Sequence, residues 1–271
     1  MHVPLPEPVA VSEGLADTPG ARLWYTDSGG DGEVVLLSHP ASQSGRIWGY
    51  QLPVLAQTGY RVVAYSRRGV DRSERGPASD CGTTVGDLAA LMDRLGIGRA
   101  HLVGAAAGGI TALAFAVVHP GRVRSLVLAG TIFSPAEAEW REMYGRLGIA
   151  AVRDHVSTEF LELGPSYRAR NPQGTELFAE LGRQAKSQAP LGQPSGVTVI
   201  WGSMQRLNLR VLLVTGEADL YAPPPLQNLI ARHLPNRELA TLREVGHAAY
   251  WEAPEAFNGL LLDFLDRQRG G

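Results

Sequence analysis

The stretch His101-Leu102-Val103-Gly104-Ala105-Ala106-Ala107-Gly108-Gly109-Ile110 decides the fold. It opens as a short apolar run, which suits a strand buried on both faces. Residues 104 to 109 are glycine and alanine only. Ile110–His119 then reads as a buried helix, ended by Pro120-Gly121. A chain that passes from strand to helix through such a turn must reverse sharply. Backbone and helix crowd together there, so the flanking positions need glycine or another very small residue. Gly104 and Gly108 meet that need, and Ala106 lies midway between them.

Outward from this turn, strands and helices alternate. Upstream, Arg22–Thr26 reads as a strand ending at Ser28-Gly29-Gly30, and Val34–Leu37 as a buried strand. Trp48–Thr58 reads as a helix stopped by Gly59, and Arg61–Ser66 as the next strand. Thr84–Leu95 has its leucines and Met92 at helical spacing, with Thr83 or Thr84 as N-cap and Gly96 as the stop. Downstream comes the strand Val123–Ala129. This βαβαβ rhythm predicts an α/β fold, a mostly parallel sheet with helices on both faces. The rhythm breaks at Ile132. To about Arg206 the chain holds helical pieces rich in Arg and Glu, broken by Leu163-Gly164-Pro165, Asn171-Pro172-Gln173-Gly174 and Pro190–Gly196. It resumes with the strand Arg210–Thr215, a helix at Leu226–His233, a strand near Glu238–Val245 and a last helix at Pro254–Gln268. The expected organisation is therefore one core, residues 1–131 and 207–271, carrying a helical insertion over 132–206. Ligands of such sheets bind at the carboxyl ends of the strands.

Composition narrows the classes. The 271 residues are 44% hydrophobic and 19% charged, a globular mix. A net charge of −2, from 25 Lys+Arg against 27 Asp+Glu, offers no basic footprint for nucleic acid. Arginines scatter along the chain, and Lys186 is the one lysine. The single cysteine, Cys81, excludes an intramolecular disulfide and any multi-cysteine zinc site. The histidine spacings suggest no metal site. The longest apolar runs, such as Ala112–Val118, fall far below the ~20 residues that span a bilayer. Met1-His2-Val3-Pro4 opens no signal peptide. The expectation is a cytoplasmic protein acting on a small molecule, without nucleic acid, membrane, metal or organic cofactor; oligomeric state stays open.

Three positions carry chemistry. Strand, small-residue turn and helix is the setting of the nucleophile elbow, G-x-S-x-G, and Ala106 stands at its centre. After the strand Val211–Val214 comes Gly216-Glu217-Ala218-Asp219, and after the next strand Glu244-Val245-Gly246-His247. The order of nucleophile, acid and histidine is that of the α/β-hydrolases, and the chain resembles a capped member of that family over Val34–Gly130 and Leu209–Arg267. His39-Pro40-Ala41 sits where the family has its His-Gly-x oxyanion loop. Arg68-Gly69-Val70-Asp71-Arg72-Ser73 sits where it has Arg-Gly-x-Gly-x-Ser, and Ala253-Pro254-Glu255-Ala256-Phe257 resembles the opening of its last helix. The surroundings of Trp48 and Arg67-Arg68-Gly69 resemble the cofactor-free haloperoxidase, esterase and enol-lactone hydrolase branch. The resemblance implies Asp219 and His247 as acid and base, and the backbone N–H groups of Ala41 and Ala107 as oxyanion donors. It implies hydrolysis of a small carboxylic ester or lactone by a Ser-His-Asp triad. In the insertion, at the family's cap position, Trp140, Tyr144, Trp201 and Met204 are candidate pocket residues, as is Ser42 behind the oxyanion loop.

Two departures bear on the reaction. Pro40 replaces the usual glycine after His39, and Ala106 replaces the serine. Losing such a serine costs on the order of 10⁶ in turnover, so the chain as written forms no acyl-enzyme. Three readings follow. The favoured one is an engineered serine-to-alanine change that traps substrate. The second is a natural enzyme using His247–Asp219 without covalent catalysis, as lyase, cyclase or C–C hydrolase. The third is a ligand-binding protein without activity. Blander roles exist for each residue. Asp219 could cap a helix ahead of Pro223-Pro224, and His247 could be a satisfied surface histidine. His39, His101, His119 and His233 read as structural, and Arg67 and Arg68 as braces of their loop. Neither Cys81 nor Ser44 lies in an elbow.

Overall fold

The computed structural model describes residues 3–133, 136–185 and 192–267; Lys186 and Gln268 lie outside them. In chain order come β1 (Ser12–Thr18), β2 (Ala21–Asp27) and β3 (Val34–Ser38), then a 3₁₀ segment (Gly45–Tyr50) and α1 (Leu52–Gln57). Next are β4 (Arg61–Tyr65), α2 (Thr84–Arg94), β5 (Ala100–Ala105), α3 (Ala107–Val118) and β6 (Val123–Ala129). The insert follows as α4 (Ala138–Gly145), α5 (Ile149–Val152), α6 (Thr158–Glu162), α7 (Pro165–Arg170), α8 (Pro172–Ala185) and α9 (Trp201–Gln205). The chain closes with β7 (Arg210–Gly216), α10 (Pro224–Ala231), β8 (Arg237–Leu242), α11 (Ala249–Glu252) and α12 (Pro254–Asp266).

Among the described residues the strands form one sheet in the order β1-β2-β4-β3-β5-β6-β7-β8. From β4 to β8 every neighbour is parallel, while β1–β2 and β2–β4 are antiparallel. The chain runs from β3 to β4 on one side and then crosses to β5 on the other. The carboxyl ends of β3 and β5 thus lie side by side at the point where winding reverses, with Ser38 opposite Gly104. A crevice opens at such a point.

The inner parallel strands β3, β5, β6 and β7 are mainly apolar because both faces are covered. Leu36, Leu102, Leu126, Leu128, Val211 and Leu213 join one core with Leu88, Leu91, Leu113 and Phe115 of α2 and α3. Their strand neighbours Val35, Leu37, Val103, Val127, Leu212 and Val214 join the other, with Trp251, Phe257 and Leu261 of α11 and α12.

Several expectations shift. β1 has no counterpart in the sequence reading: Ser-Glu-Gly-Leu-Ala-Asp-Thr is a polar edge strand without a continuous apolar face. The helix expected over Trp48–Thr58 is a 3₁₀ segment followed by α1, with Pro53 in its first turn. The helix expected from Ile110 starts at Ala107, because alanine and glycine carry no periodicity to read. β8 stops at Leu242, before the left-handed Glu244. Thr83 does cap α2, its side chain accepting the Gly86 N–H at 3.0 Å.

Candidate active site

Ala106 joins β5 to α3 at φ 47°, ψ −113°. A non-glycine residue there costs about 1–3 kcal/mol and persists only where its surroundings force it. The surroundings are visible. A Cβ on Gly104 would lie 2.5 Å from the Gly108 carbonyl oxygen and 2.6 Å from Gly109 Cα. A Cβ on Gly108 would overlap the Ser38 carbonyl and lie 2.7 Å from that of His39. Helix α3 is therefore pressed against both its own strand and the end of β3. Ala106 itself is tied by its N–H to the Ala129 carbonyl of β6 at 2.9 Å.

Asp219 follows β7 and His247 follows β8. His247 Nδ1 lies 2.9 Å from both Asp219 carboxylate oxygens. Asp219 Oδ1 also accepts the backbone N–H groups of Tyr221 at 2.8 Å and Ala222 at 2.9 Å. These donors fix the carboxylate, and the carboxylate fixes Nδ1 as the protonated nitrogen, leaving Nε2 free to take a proton. Both residues are buried, at 3% and 5% exposure. Burial alone lowers the proton affinity of His247. The charge and hydrogen bond of Asp219 outweigh it, with Glu162 and Glu252 adding, and the imidazole stands above its ordinary range. The Tyr221 ring lies 4.8 Å from the imidazole, centroid to centroid. Gly130 leaves the room: a Cβ there would lie 3.0 Å from His247 Nδ1.

The loop after β3 brings Ala41 beside this turn. Its preceding His39 is fully buried; Nε2 accepts the Arg67 N–H at 3.0 Å and Nδ1 donates to the Pro40 carbonyl at 2.7 Å. Burial, with Arg67 nearby, keeps that imidazole neutral, well below its ordinary range. Ala41 is exposed and Ala107 half-buried, and among the described residues neither backbone N–H has a partner. Two donors are thus unspent, at the carboxyl ends of the two strands that meet where the winding reverses.

The insert adds side chains that sequence reasoning missed. Glu162 of α6 is buried, and its Oε2 accepts the Ser42 hydroxyl at 2.8 Å. Its carbonyl accepts the Ala248 N–H at 3.0 Å. Glu252 of α11 accepts the N–H groups of Gly246 at 3.0 Å and Gly164 at 2.9 Å, clamping the His247 loop to the insert. Burial pushes Glu252 up to about 7 against the pull of those hydrogen bonds. Nothing in the Arg- and Glu-rich insert sequence separates Glu162 from Glu159, three residues earlier. Tyr221, two residues after Asp219, carries no signal of its own.

The other expected pocket residues divide. Trp140 and Tyr144 stack at 4.7 Å on one face of α4, and Tyr144 feels the charge of Asp219. Trp201 instead stacks on His233, just past α10, at 4.0 Å, and Met204 is fully buried in the core. Both lie in α9, the helix that returns the chain to β7. Cys81 lies half-buried in the loop before α2. Among the described residues no His, Cys, Asp and Glu group could hold a metal ion, and no helix is long and apolar enough to cross a membrane.

An elbow of this shape after β5, with an acid after β7 and a histidine after β8 of a reversing parallel sheet, defines a class. The family profile for the α/β hydrolase fold matches residues 33–254, and the chain belongs to that family of enzymes. It is 31% identical over 250 residues, covering 88% of this chain and 93% of the relative, to a provisionally named carbamate hydrolase, RutD, of Variovorax paradoxus. It is 28% identical, covering 93% and 94%, to the 2-hydroxy-6-oxononadienedioate/2-hydroxy-6-oxononatrienedioate hydrolase of Burkholderia vietnamiensis. In three dimensions it is similar to the malate-bound thermophilic esterase of Thermogutta terrifontis, with a TM-score of 0.78 at 24% identity, over 95% of this chain and 99% of that one. That likeness concerns the fold.

Proposed function

We propose that this chain carries the machinery of a cytoplasmic serine-type hydrolase for a small carboxylic ester or lactone, with Ala106 at the nucleophile's position, and that it is an engineered, substrate-trapping form. The observation that carries the reading is the conjunction of a left-handed Ala106 with a fully bonded His247–Asp219 pair. A lost nucleophile relaxes the demand on its partners, and these partners are intact. With serine at 106, its Oγ attacks the substrate carbonyl and His247 Nε2 takes the proton. Asp219 steadies the imidazolium through Nδ1, and the N–H groups of Ala41 and Ala107 receive the oxyanion. Collapse expels the alcohol with the proton from His247, and water, activated by the same histidine, releases the acid. The insert, residues 132–206, acts as a cap, with Trp140, Tyr144 and Ser42 facing the substrate.

A second reading keeps alanine as the natural residue. His247 then serves as general base on water or on a substrate C–H, as in a lyase, cyclase or C–C hydrolase. The methyl group at 106 favours it. A third reading is a ligand-binding protein. One paired experiment separates the three. Ala106→Ser and the parent are titrated with a serine-directed phosphonate and with p-nitrophenyl acetate. The expected result is stoichiometric labelling and turnover in the serine form alone. Turnover by the alanine form, abolished by His247→Ala, supports the second reading. Ligand binding without turnover in either form supports the third.

A further inference from the structure

Glu162 takes no part in the triad chemistry, yet it is bonded to the loops on either side of it. It ends α6, at 8% exposure. Its Oε2 holds the hydroxyl of Ser42, the residue after Ala41, and its carbonyl holds the N–H of Ala248, the residue after His247. Through its carboxylate on one side and its main-chain carbonyl on the other, one residue of the insert is thus bonded to both the oxyanion loop and the histidine loop. The other groups that act on it come from three elements: His247 from the loop after β8, Asp219 from the loop after β7, and Glu159 from its own helix. Tyr221 and Tyr250 feel its charge in turn. Burial raises the Glu162 carboxyl above the ordinary range, and His247 and the Ser42 hydrogen bond pull against that rise. The influence is mutual, since Glu162 adds to the proton affinity of His247.

We propose that Glu162 is the charge-selecting residue of this site, admitting neutral acyl groups beside His247 and rejecting those that bear a carboxylate. The substrate half of this inference rests on the hydrolase reading; the electrostatic half does not. The physical argument is short. Asp219 faces the Nδ1 side of His247, while Glu162 holds the hydroxyl next to the Ala41 donor; an acyl group received at the Ala41 and Ala107 N–H groups therefore meets Glu162 before Asp219. Asp219 is already engaged by two backbone N–H groups and by His247. Glu162 has one hydroxyl donor on its carboxylate. A second negative charge brought there meets a buried carboxylate with a single side-chain donor. At the effective dielectric of a partly buried site, such a like-charge encounter weakens binding by about ten- to a hundredfold. The selection strengthens as pH rises, because Glu162 then gives up its proton.

The test uses the chain as it stands, with alanine at 106, and its Glu162→Gln variant. Glutamine keeps an oxygen for Ser42 and removes the charge. The first readout is the imidazole titration of His247 followed by ¹⁵N nuclear magnetic resonance. The expected result is a fall in its midpoint in E162Q by about half a unit, roughly threefold in proton affinity. An unchanged midpoint overturns the inference, and a merely structural role would leave it unchanged. The second readout is calorimetric binding of dimethyl succinate and of monomethyl succinate at pH 8.5. The neutral diester is expected to bind at least tenfold more tightly, and E162Q to bring the two within about threefold. Equal binding by the parent, a ratio that survives E162Q, or no binding of either ester overturns the substrate selection. Phosphonate labelling of Ala106→Ser keeps the two ideas apart. Labelling with no charge discrimination defeats this inference alone. Absent labelling defeats the hydrolase reading, while the His247 titration still decides whether the Glu162 charge reaches the base.

Discussion

The turn after β5 and the insert after β6 are held in different ways. The turn is held by backbone against backbone: Gly108 against the Ser38 and His39 carbonyls, Gly104 against α3, Ala106 against Ala129. No side chain mediates these contacts, so no side chain can relax to relieve them. The insert is held in part by long side chains, Glu162 to Ser42 and Glu252 to Gly164, beside backbone bonds such as Ala248 to Glu162 and the burial of Phe178 and Leu163. Positions of the first kind are set to tenths of an ångström by close packing. Those of the second kind answer to protonation and rotamer. The molecule thus places its reacting atoms with the rigid region and surrounds them with the adjustable one.

Four measurements break or sharpen that contrast. The largest effect is expected in the serine-restored enzyme. There Asp219→Asn lowers kcat by about 10⁴-fold, because the amide holds the wrong imidazole tautomer. Steady-state hydrolysis of p-nitrophenyl acetate checks it, and near-full activity would detach Asp219 from the chemistry. Next, Gly108→Ala puts a methyl group into two carbonyl oxygens and costs about 3 kcal/mol or more. Urea unfolding that shows less than 1 kcal/mol would mean that the turn is no more rigid than the insert.

The third concerns the joint between the regions. The folded pKa of Glu252 stands at about 7, above the 4.5 of an ordinary glutamate. Between those values the folded protein holds a proton that the unfolded chain releases, so stability declines as pH rises through that window. By pH 8 the decline from this group is about 2–3 kcal/mol. Urea midpoints from pH 5 to 8 should trace it, and Glu252→Gln, which still offers an oxygen to Gly246 and Gly164, should flatten it. The smallest effect lies outside both regions. Thr83→Ala removes the cap of α2 and costs about 1 kcal/mol without touching activity; it calibrates the scale against which the others are read.

What the sequence disclosed follows the same division. The elbow, Asp219 and His247 were legible because each stands in a local pattern, a strand followed at once by a short turn of small or acidic residues. The parallel core was legible because strands covered on both faces are apolar at consecutive positions, as Val34–Leu37 and Val211–Val214 are. Glu162 and Glu252 were not legible. Their importance arises from burial against residues more than a hundred positions away for Glu162 and eighty-eight for Glu252, and helical spacing carries no trace of that. The roles of Trp201 and Met204 are not legible in the sequence, because an aromatic or a methionine in a helical segment fits a pocket wall and a core equally well. β1 escaped notice because an exposed edge strand needs no apolar face.

The way the insert is spliced into the sheet has a further consequence. It departs after β6 and returns at β7, and these strands are immediate neighbours, bonded from Gly130 to Val214 at 2.9 Å. Its two ends are therefore pinned together by the core, whatever lies between them. Closing a loop whose ends are already fixed costs only about 0.6 kcal/mol more for each doubling of its length. The entropy of closure therefore sets only a weak limit on the length of the segment between β6 and β7. What a change there costs is decided by the packing of residues such as Trp140 and Phe178 against the core.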